Sequence, residues 1–159
     1  SERRILFGET NELIAEKFEV GLAAGLTPIL CVGESLAERE AGNTLAVVSS
    51  QLEAVIDRVG IAGMCRGLLA YEPVWSIGTG VTAAPMQVEE VHRALRDRLA
   101  NASTDSSESV RIIYGGSVSV ENSAELFANE NVDGCLVGGA ALRGKSFMDI
   151  CHVADESVS

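Results

Sequence analysis

Four short apolar segments constrain the fold of this 159-residue chain more than any other feature. They begin at Thr27 (TPILCV), Gly67 (GLLAY), Val110 (VRIIY) and Gly134 (GCLVG). Apart from Thr27 and Arg111 the segments are apolar, and they do not alternate with polar residues, which is typical of strands that are covered on both faces. Such strands usually belong to parallel sheets, so the sequence predicts a four-stranded parallel sheet.

Helical patterns separate the predicted strands. Apolar residues recur at helical spacing in residues 13–22, 45–59, 88–99, 124–127 and 147–153. Gly25 and Gly60 follow the first two of these stripes, as expected for glycine at a helix C-terminus. The order α-β-α-β-α-β-α-β-α favours one α/β domain with right-handed crossovers. The polar segment NASTDSSES, residues 101–109, is predicted to be a surface loop.

Charge and cysteine usage narrow the classes of function. The chain has 12 Lys and Arg against 23 Asp and Glu, a net charge of −11, which argues against nucleic acid or an anionic membrane surface as partners. No apolar segment is long enough to span a bilayer. The four cysteines form no C-x-x-C pair, and we expect Cys31 and Cys135 to be buried small hydrophobic side chains. These features favour a cytoplasmic protein, and no residue pattern calls for a metal or cofactor.

Glycine-rich segments follow all four predicted strands, namely GESLAE, EPVWSIGTG, GGSVS and GGAAL. Loops after parallel strands meet at one end of the sheet, so these segments are expected to converge. Glycine lets backbone N–H groups approach a ligand closely, which suits an anion. Each Gly-Gly pair alone is equally consistent with a tight turn, but their convergence favours a phosphate site.

Glu72 is the candidate catalytic residue, because it directly follows the second predicted strand and lies within this cluster of loops. The apolar neighbours Tyr71 and Trp75 favour a raised pKa, which suits a general base near neutral pH. The loop that follows contains Gly78 and Gly80 and could close over the acid and exclude water. The alternative interpretation is a solvated turn residue before a proline.

A base of this kind needs an electrophilic partner, and the residues offer none at a strand end. Both histidines (His92 and His152) and both lysines (Lys17 and Lys145) lie on or beside predicted helices. We interpret each as a solvated or hydrogen-bonded side chain. The residues alone therefore lead to a base beside a phosphate-binding cradle.

Four motifs resemble the triosephosphate isomerase family in order and spacing: CVGE (31–34), AYEPVWSIGTG (70–80), IYGGSV (113–118) and DGCLVGGAAL (133–142). SERR (1–4) resembles the segment that opens the family's fourth helix. The resemblance implies a partial (β/α)8 TIM barrel, with four parallel strands (the family's strands 5–8) and flanking helices in a single incomplete domain over residues 1–159. It also implies an isomerase of glycolysis and gluconeogenesis that interconverts dihydroxyacetone phosphate and glyceraldehyde 3-phosphate through an enediolate.

The resemblance also implies a role for each candidate residue. Glu72 corresponds to the base that moves a proton between adjacent carbons of the triose phosphate. The implied phosphate-binding positions are Gly78, Ser117, Gly138 and Gly139. Ser76 stands where the family often has alanine, and we expect this difference to have no effect.

Supporting residues are implied as well. Tyr114 and Ser117 resemble the residues that latch the closed lid. Glu34 resembles the acid that Trp75 of the lid contacts, and Glu2 resembles a carboxylate near the active site.

The resemblance does not include the family's first four strands and first three helices, and a full barrel is typically about 250 residues long. The family's electrophilic lysine lies on the first strand, and its neutral histidine immediately precedes the position of Ser1. The chain is interpreted as a C-terminal portion of an isomerase. We expect it to be inactive alone, since one preorganised donor can change the rate by roughly 10²–10³.

The alternative to an isomerase is a non-catalytic half-barrel that binds inorganic phosphate or sulfate, or that only self-associates. An open sheet would expose unpaired N–H and C=O groups at its first and last strands, which can pair with another chain. The face that lines a closed barrel is expected to meet water unless the helix at residues 13–22 covers it. The sequence therefore predicts a homo-oligomer, most simply a homodimer.

Overall fold

A computed structural model describes residues 1–79, 81–103 and 108–157. It contains a four-stranded parallel sheet whose strands lie side by side in chain order. Leu30 pairs with Leu69, Ala70 with Ile113. The strands are β1 (Ile29–Val32), β2 (Leu68–Tyr71), β3 (Ile112–Tyr114) and β4 (Gly134–Cys135). The predicted parallel α/β architecture is therefore confirmed.

The described residues contain seven α-helices and two short 3-10 turns, at Val74–Ser76 and Gly139–Leu142. The helices are α1 (Glu2–Phe7), α2 (Asn11–Ala23), α3 (Leu36–Glu40), α4 (Thr44–Met64), α5 (Pro85–Ala102), α6 (Val120–Phe127) and α7 (Gly144–Ser157). The short helix α3 was not predicted. It forms because Ser35 and Glu38 make a capping box, in which each side chain accepts the other residue's backbone N–H.

Several boundaries differ from the sequence predictions. Gly60 adopts φ 70° and ψ 165°, so it interrupts the helix as predicted. A further turn follows nevertheless and carries α4 to Met64, which is fully buried in the core. β4 covers only residues 134–135, shorter than the predicted strand. In the predicted loop 101–109, residues 101 and 102 end α5, and residues 104–107 lie outside the described residues.

The hydrophobic core lies between the sheet and the helices packed on one of its faces. Alternate residues of β1, β2 and β3 belong to it: Leu30, Val32, Leu69, Tyr71, Ile112 and Tyr114. The helices contribute Phe18, Leu22, Val48, Leu52, Val55, Val88, Leu95 and Leu99. This layer makes the sheet rigid and fixes the strand ends from which the candidate site is built.

The opposite face of the sheet is less exposed than predicted. Ala70 is 0% exposed and Ile113 is 7% exposed, whereas Ile29 at the outer edge of β1 is 42% exposed. The segment at α1 folds back towards the carboxyl end of this face, where Ser1 contacts Glu72. The expectation that this face meets water is therefore wrong for its centre. The alternative, that α2 covers the face, is also wrong, because Phe18 and Leu22 of α2 belong to the core on the other face, with Leu30.

Candidate active site

Glu72 lies directly after β2, and its backbone N–H extends the sheet by donating to the carbonyl oxygen of Val32 at 2.7 Å. The neighbouring strand ends leave room for it because both are glycine. A Cβ at Gly33 would lie 1.8 Å from the Glu72 carbonyl oxygen, and one at Gly115 would lie 2.7 Å from Glu72 Cγ. Gly115 belongs to a predicted phosphate-binding Gly-Gly pair and Gly33 to a predicted position of close backbone approach, and together they create the space for the acid.

Ser1 holds the carboxylate of Glu72. Glu72 Oε2 accepts a hydrogen bond from the Ser1 hydroxyl at 2.6 Å. Ser1 was not among the predicted site residues, and its signal was its place in the SERR motif. Glu2, the predicted supporting carboxylate, is exposed in the first turn of α1 and has no hydrogen bond or ion pair with the other described residues.

Cys31 is a second residue near Glu72 that was not predicted to belong to the site. Its side chain is half-buried, less than predicted, and so is that of Cys135. Burial, followed by the negative charge of Glu72, raises the pKa of the Cys31 thiol to about 12. Burial raises the pKa of Cys135 to about 12 as well. Both thiols are therefore neutral at physiological pH, and Cys31 adds no second negative charge beside the acid.

Glu34 is a fully buried acid at the end of β1 that anchors the first turn of the loop after β2. Its Oε1 accepts from the Trp75 indole N–H at 3.0 Å and from Arg39 at 3.0 Å. The Tyr71 hydroxyl lies 3.2 Å from each carboxylate oxygen. Burial and the nearby Glu34 charge raise the pKa of Tyr71, so its hydroxyl remains a donor. The contact between Glu34 and Trp75 implied by the resemblance is present, and Arg39 and Tyr71 complete the cluster.

The same loop is attached to the end of β3 by Ser76. The Ser76 side chain is fully buried, and its Oγ accepts the backbone N–H of Ser117 at 3.2 Å. The Tyr114 hydroxyl lies 3.4 Å from the same oxygen. Burial raises the pKa of Tyr114, against a smaller opposing effect of its hydrogen bond with Ser76. Gly80, predicted as part of the lid, lies outside the described residues.

A cleft of about 540 Å³ opens beside Glu72. Its lining includes all four predicted phosphate-binding residues, Gly78, Ser117, Gly138 and Gly139. Gly78 has φ 67°, a left-handed conformation that favours glycine. The structure thus brings a carboxylate and glycine-rich backbone to one cleft, an arrangement able to hold a small anion beside a proton acceptor.

The histidines and lysines lie away from this cleft, on helices α2, α5 and α7. His92 is fully buried, its Nδ1 is 3.0 Å from the Asn131 carbonyl oxygen, and burial lowers its pKa to about 4. Lys17 and Lys145 pair with Glu9 and Asp149. Among the described residues, no three potential metal ligands cluster together. None of the helices described in the structure is long and apolar enough to cross a membrane.

The fold and the cleft together define an α/β protein with an enzyme-like site at the carboxyl end of a parallel sheet. A model of the triosephosphate isomerase family matches residues 1–154. The chain therefore belongs to the triosephosphate isomerase family.

Curated relatives support this assignment. Triosephosphate isomerases from Dechloromonas aromatica (strain RCB) and Alcanivorax borkumensis are 53% and 54% identical over 155 residues, which is 98% of this chain and 62% and 63% of those proteins. The triosephosphate isomerase of Pseudomonas aeruginosa (strain LESB58) is 51% identical over 154 residues, 97% of this chain and 61% of that protein. The chain thus spans about three fifths of the length of these relatives.

Proposed function

We propose that this chain carries the base, the lid and the phosphate-binding loops of a cytoplasmic triosephosphate isomerase, with β1–β4 corresponding to the family's strands 5–8. The observation that carries this proposal is the shared cleft: Glu72 and the four candidate phosphate-binding residues line one space. The substrate pair is dihydroxyacetone phosphate and glyceraldehyde 3-phosphate, as in glycolysis and gluconeogenesis.

The proposed chemistry is a proton transfer between adjacent carbons. The substrate phosphate lies against the backbone N–H groups of Gly78, Ser117, Gly138 and Gly139, which places the triose carbons towards Glu72. The carboxylate exchanges its contacts with Ser1 for the substrate and removes a proton from the carbon beside the carbonyl. Returning the proton to the neighbouring carbon, while the hydroxyl proton passes from one oxygen of the enediolate to the other, gives the isomeric product.

The described chain places neither a histidine nor a lysine at the cleft to stabilise the enediolate oxygen. One preorganised donor of this kind is worth roughly 10²–10³ in rate, so turnover by the chain alone is expected to be negligible. Activity is expected when a polypeptide supplies the rest of the barrel.

The test is an isomerase assay on the chain alone and after mixing with the N-terminal part of the Dechloromonas aromatica relative that lies outside the match. We expect turnover only in the mixture. Glu72→Gln abolishes it, whereas Glu16→Gln, a change at an exposed residue of α2, retains it. Turnover that survives Glu72→Gln would exclude Glu72 as the base.

A second function, self-association as a homodimer, is favoured by the open edges of the sheet. Within the described residues β1 pairs only with β2, and β4 only with β3. A cleft of about 990 Å³ also lies beside β4, with Phe127, Val137, Phe147 and Ile150 in its lining. Covering each 100 Å² of such apolar surface contributes about 2.5 kcal/mol before association costs.

Light scattering across a dilution series tests the dimer. We propose that the outer edge of β1 takes part, so Ile29→Lys should shift the chain towards monomer, because a lysine on an edge strand opposes pairing. Val20→Lys, at a 60% exposed position on α2, is the control and should leave the oligomer unchanged. A wild-type chain that is monomeric at micromolar concentration would contradict this second function.

A further inference from the structure

Ser76 is a fully buried polar residue, although no role for its side chain was predicted from the sequence. It ends the 3-10 turn Val74–Ser76 at the start of the lid, and its backbone N–H donates to the Pro73 carbonyl oxygen at 2.8 Å. Its side chain is 0% exposed. A hydroxyl buried this completely is destabilising unless it is hydrogen-bonded, so its partners matter.

The two partners of the Ser76 hydroxyl lie at the end of β3 and in the segment that follows it. The backbone N–H of Ser117 donates to Ser76 Oγ at 3.2 Å, and the Tyr114 hydroxyl lies 3.4 Å away. Gly116 lets this segment approach, because a Cβ there would lie 2.1 Å from the Tyr114 hydroxyl and 2.9 Å from Ser76 Oγ. The lid and the Ser117 loop are therefore joined through one buried oxygen atom.

The Ser117 N–H can make only one strong hydrogen bond at a time. Ser117 lines the cleft with Glu72, and an anion in the proposed phosphate site would use the same N–H. In the structure this donor is already taken by Ser76. A ligand oxygen must therefore displace the hydroxyl before Ser117 can bind it.

We propose that Ser76 is a positioning residue that holds the Ser117 N–H in the anion-free protein and competes for it with the phosphate group of a ligand. The competition rests on the proposed phosphate site, whereas the hydrogen bond between lid and loop does not. Removing the hydroxyl releases the Ser117 N–H and leaves the lid backbone unchanged. One neutral hydrogen bond sets the size of the effect, so phosphate should bind about two- to tenfold more tightly to Ser76→Ala.

The test is an NMR titration of the ¹⁵N-labelled chain with inorganic phosphate, comparing wild type, Ser76→Ala and Ser123→Ala. Ser123 is the matched control, because it is also a fully buried serine but its hydroxyl donates to the Val120 carbonyl oxygen within α6. Without phosphate, Ser76→Ala should move the Ser117 amide resonance upfield and speed its hydrogen exchange by about two- to tenfold. Ser123→Ala should do neither.

The outcomes separate this proposal from the proposed function. An unmoved Ser117 amide in phosphate-free Ser76→Ala overturns the positioning role. Weaker or unchanged phosphate binding by Ser76→Ala, with a clear response of Gly138 and Gly139 in wild type, overturns the competition. If phosphate moves neither glycine in any of the three proteins, the phosphate site and the competition both fail. The hydrogen bond between lid and loop is then judged by the Ser117 shift and exchange alone.

Discussion

The loops at the carboxyl end of the sheet and the region around α1 differ in how completely their polar groups are paired. At the carboxyl end, the buried carboxylate of Glu34 accepts from three side chains. In the α1 region, Nε and Nη2 of Arg4 are buried without a partner among the described residues. Large apolar side chains of α1 are also exposed, namely Ile5, Leu6 and Phe7.

This difference shows that the buried polar groups of the Glu34 cluster are hydrogen-bonded within the described residues, whereas Nε and Nη2 of Arg4 in the α1 region are not. A buried donor without a partner costs about 1–3 kcal/mol, so the α1 region still gains by contact with further polypeptide. The Glu34 cluster at the carboxyl end has no such deficit, although Nε2 of His92 behind it is also buried without a partner among the described residues. The geometry of the cluster is set by the packing of strand ends against each other. We expect substitutions at the carboxyl end to be much more damaging than substitutions in loosely packed parts of the chain.

Gly33→Ala should have the largest effect. The new Cβ would lie 1.8 Å from the Glu72 carbonyl oxygen, a backbone atom held by the sheet. Relieving this clash requires β1 and β2 to separate, at a cost of at least about 5 kcal/mol, which is the whole stability of many small domains. Circular dichroism and chemical denaturation should show no cooperative unfolding transition.

Gly144→Ala is the matched control for that substitution. A Cβ at this first residue of α7 meets nothing within 4 Å, so the free energy of unfolding should change by less than about 1 kcal/mol. A Gly33→Ala chain as stable as Gly144→Ala would show that the strand ends are not tightly packed. The contrast between the two regions would then be lost.

Glu34→Ala should have the next largest effect. It leaves Arg39 and Trp75 without their shared acceptor, and loss of one partner of a buried ion pair costs about 3–5 kcal/mol. Trp75 is the only tryptophan in the chain, so its fluorescence should shift to the red as the loop after β2 loosens.

The control for Glu34→Ala removes an acid of the same type from the surface. Glu53 pairs with Arg98, and both side chains are more than 40% exposed. Glu53→Ala should therefore lower the free energy of unfolding by less than about 1 kcal/mol. Equal losses in the two variants would contradict a special role for the buried cluster.

The parts of this structure that the sequence predicts are those with local signals. Strands that are apolar throughout predict a sheet covered on both faces, and Gly60 predicts a break in α4. The continuation of α4 to Met64 could not be predicted, because burial of Met64 against the core depends on residues distant in the chain. The early end of β4 at Cys135 could not be predicted either, because the residues that follow it in the segment GCLVG are as apolar as those of a strand.

The candidate site shows the same division. The position of Glu72 at a strand end follows from the order of motifs, and the contact between Trp75 and Glu34 follows from the family resemblance. The contact between Ser1 and Glu72 joins residues 71 positions apart. Only the three-dimensional structure reveals it, just as it reveals that the hydroxyl of Ser76 meets the Ser117 N–H.

The smallest of these effects concerns His92, which lies behind the carboxyl-end cluster with its ring 5.9 Å from that of Tyr71, edge to face. Burial lowers its pKa from 6.5 to about 4, although the nearby Asp133 and Glu89 oppose this shift and Arg96 adds to it. The folded chain is therefore more stable with the neutral His92 ring than with the charged one.

Stability should consequently fall as the pH drops from about 6.5 to about 4, because in this window the unfolded chain binds a proton at His92 and the folded chain does not. At about 1.4 kcal/mol per pH unit, the loss from this residue reaches on the order of 3 kcal/mol by pH 4. Chemical denaturation at a series of pH values should show a shallower decline for His92→Gln, while His152→Gln, at an exposed position, keeps the wild-type slope. Glu9 does not obscure the comparison. Arg3 and Lys17 hold its pKa at about 2, so the stability that Glu9 contributes is lost only as the pH falls below about 4.5. Identical slopes for the two histidine variants would mean that the interior behind Tyr71 admits the charged ring, and that the carboxyl end is less rigid than its hydrogen bonds indicate.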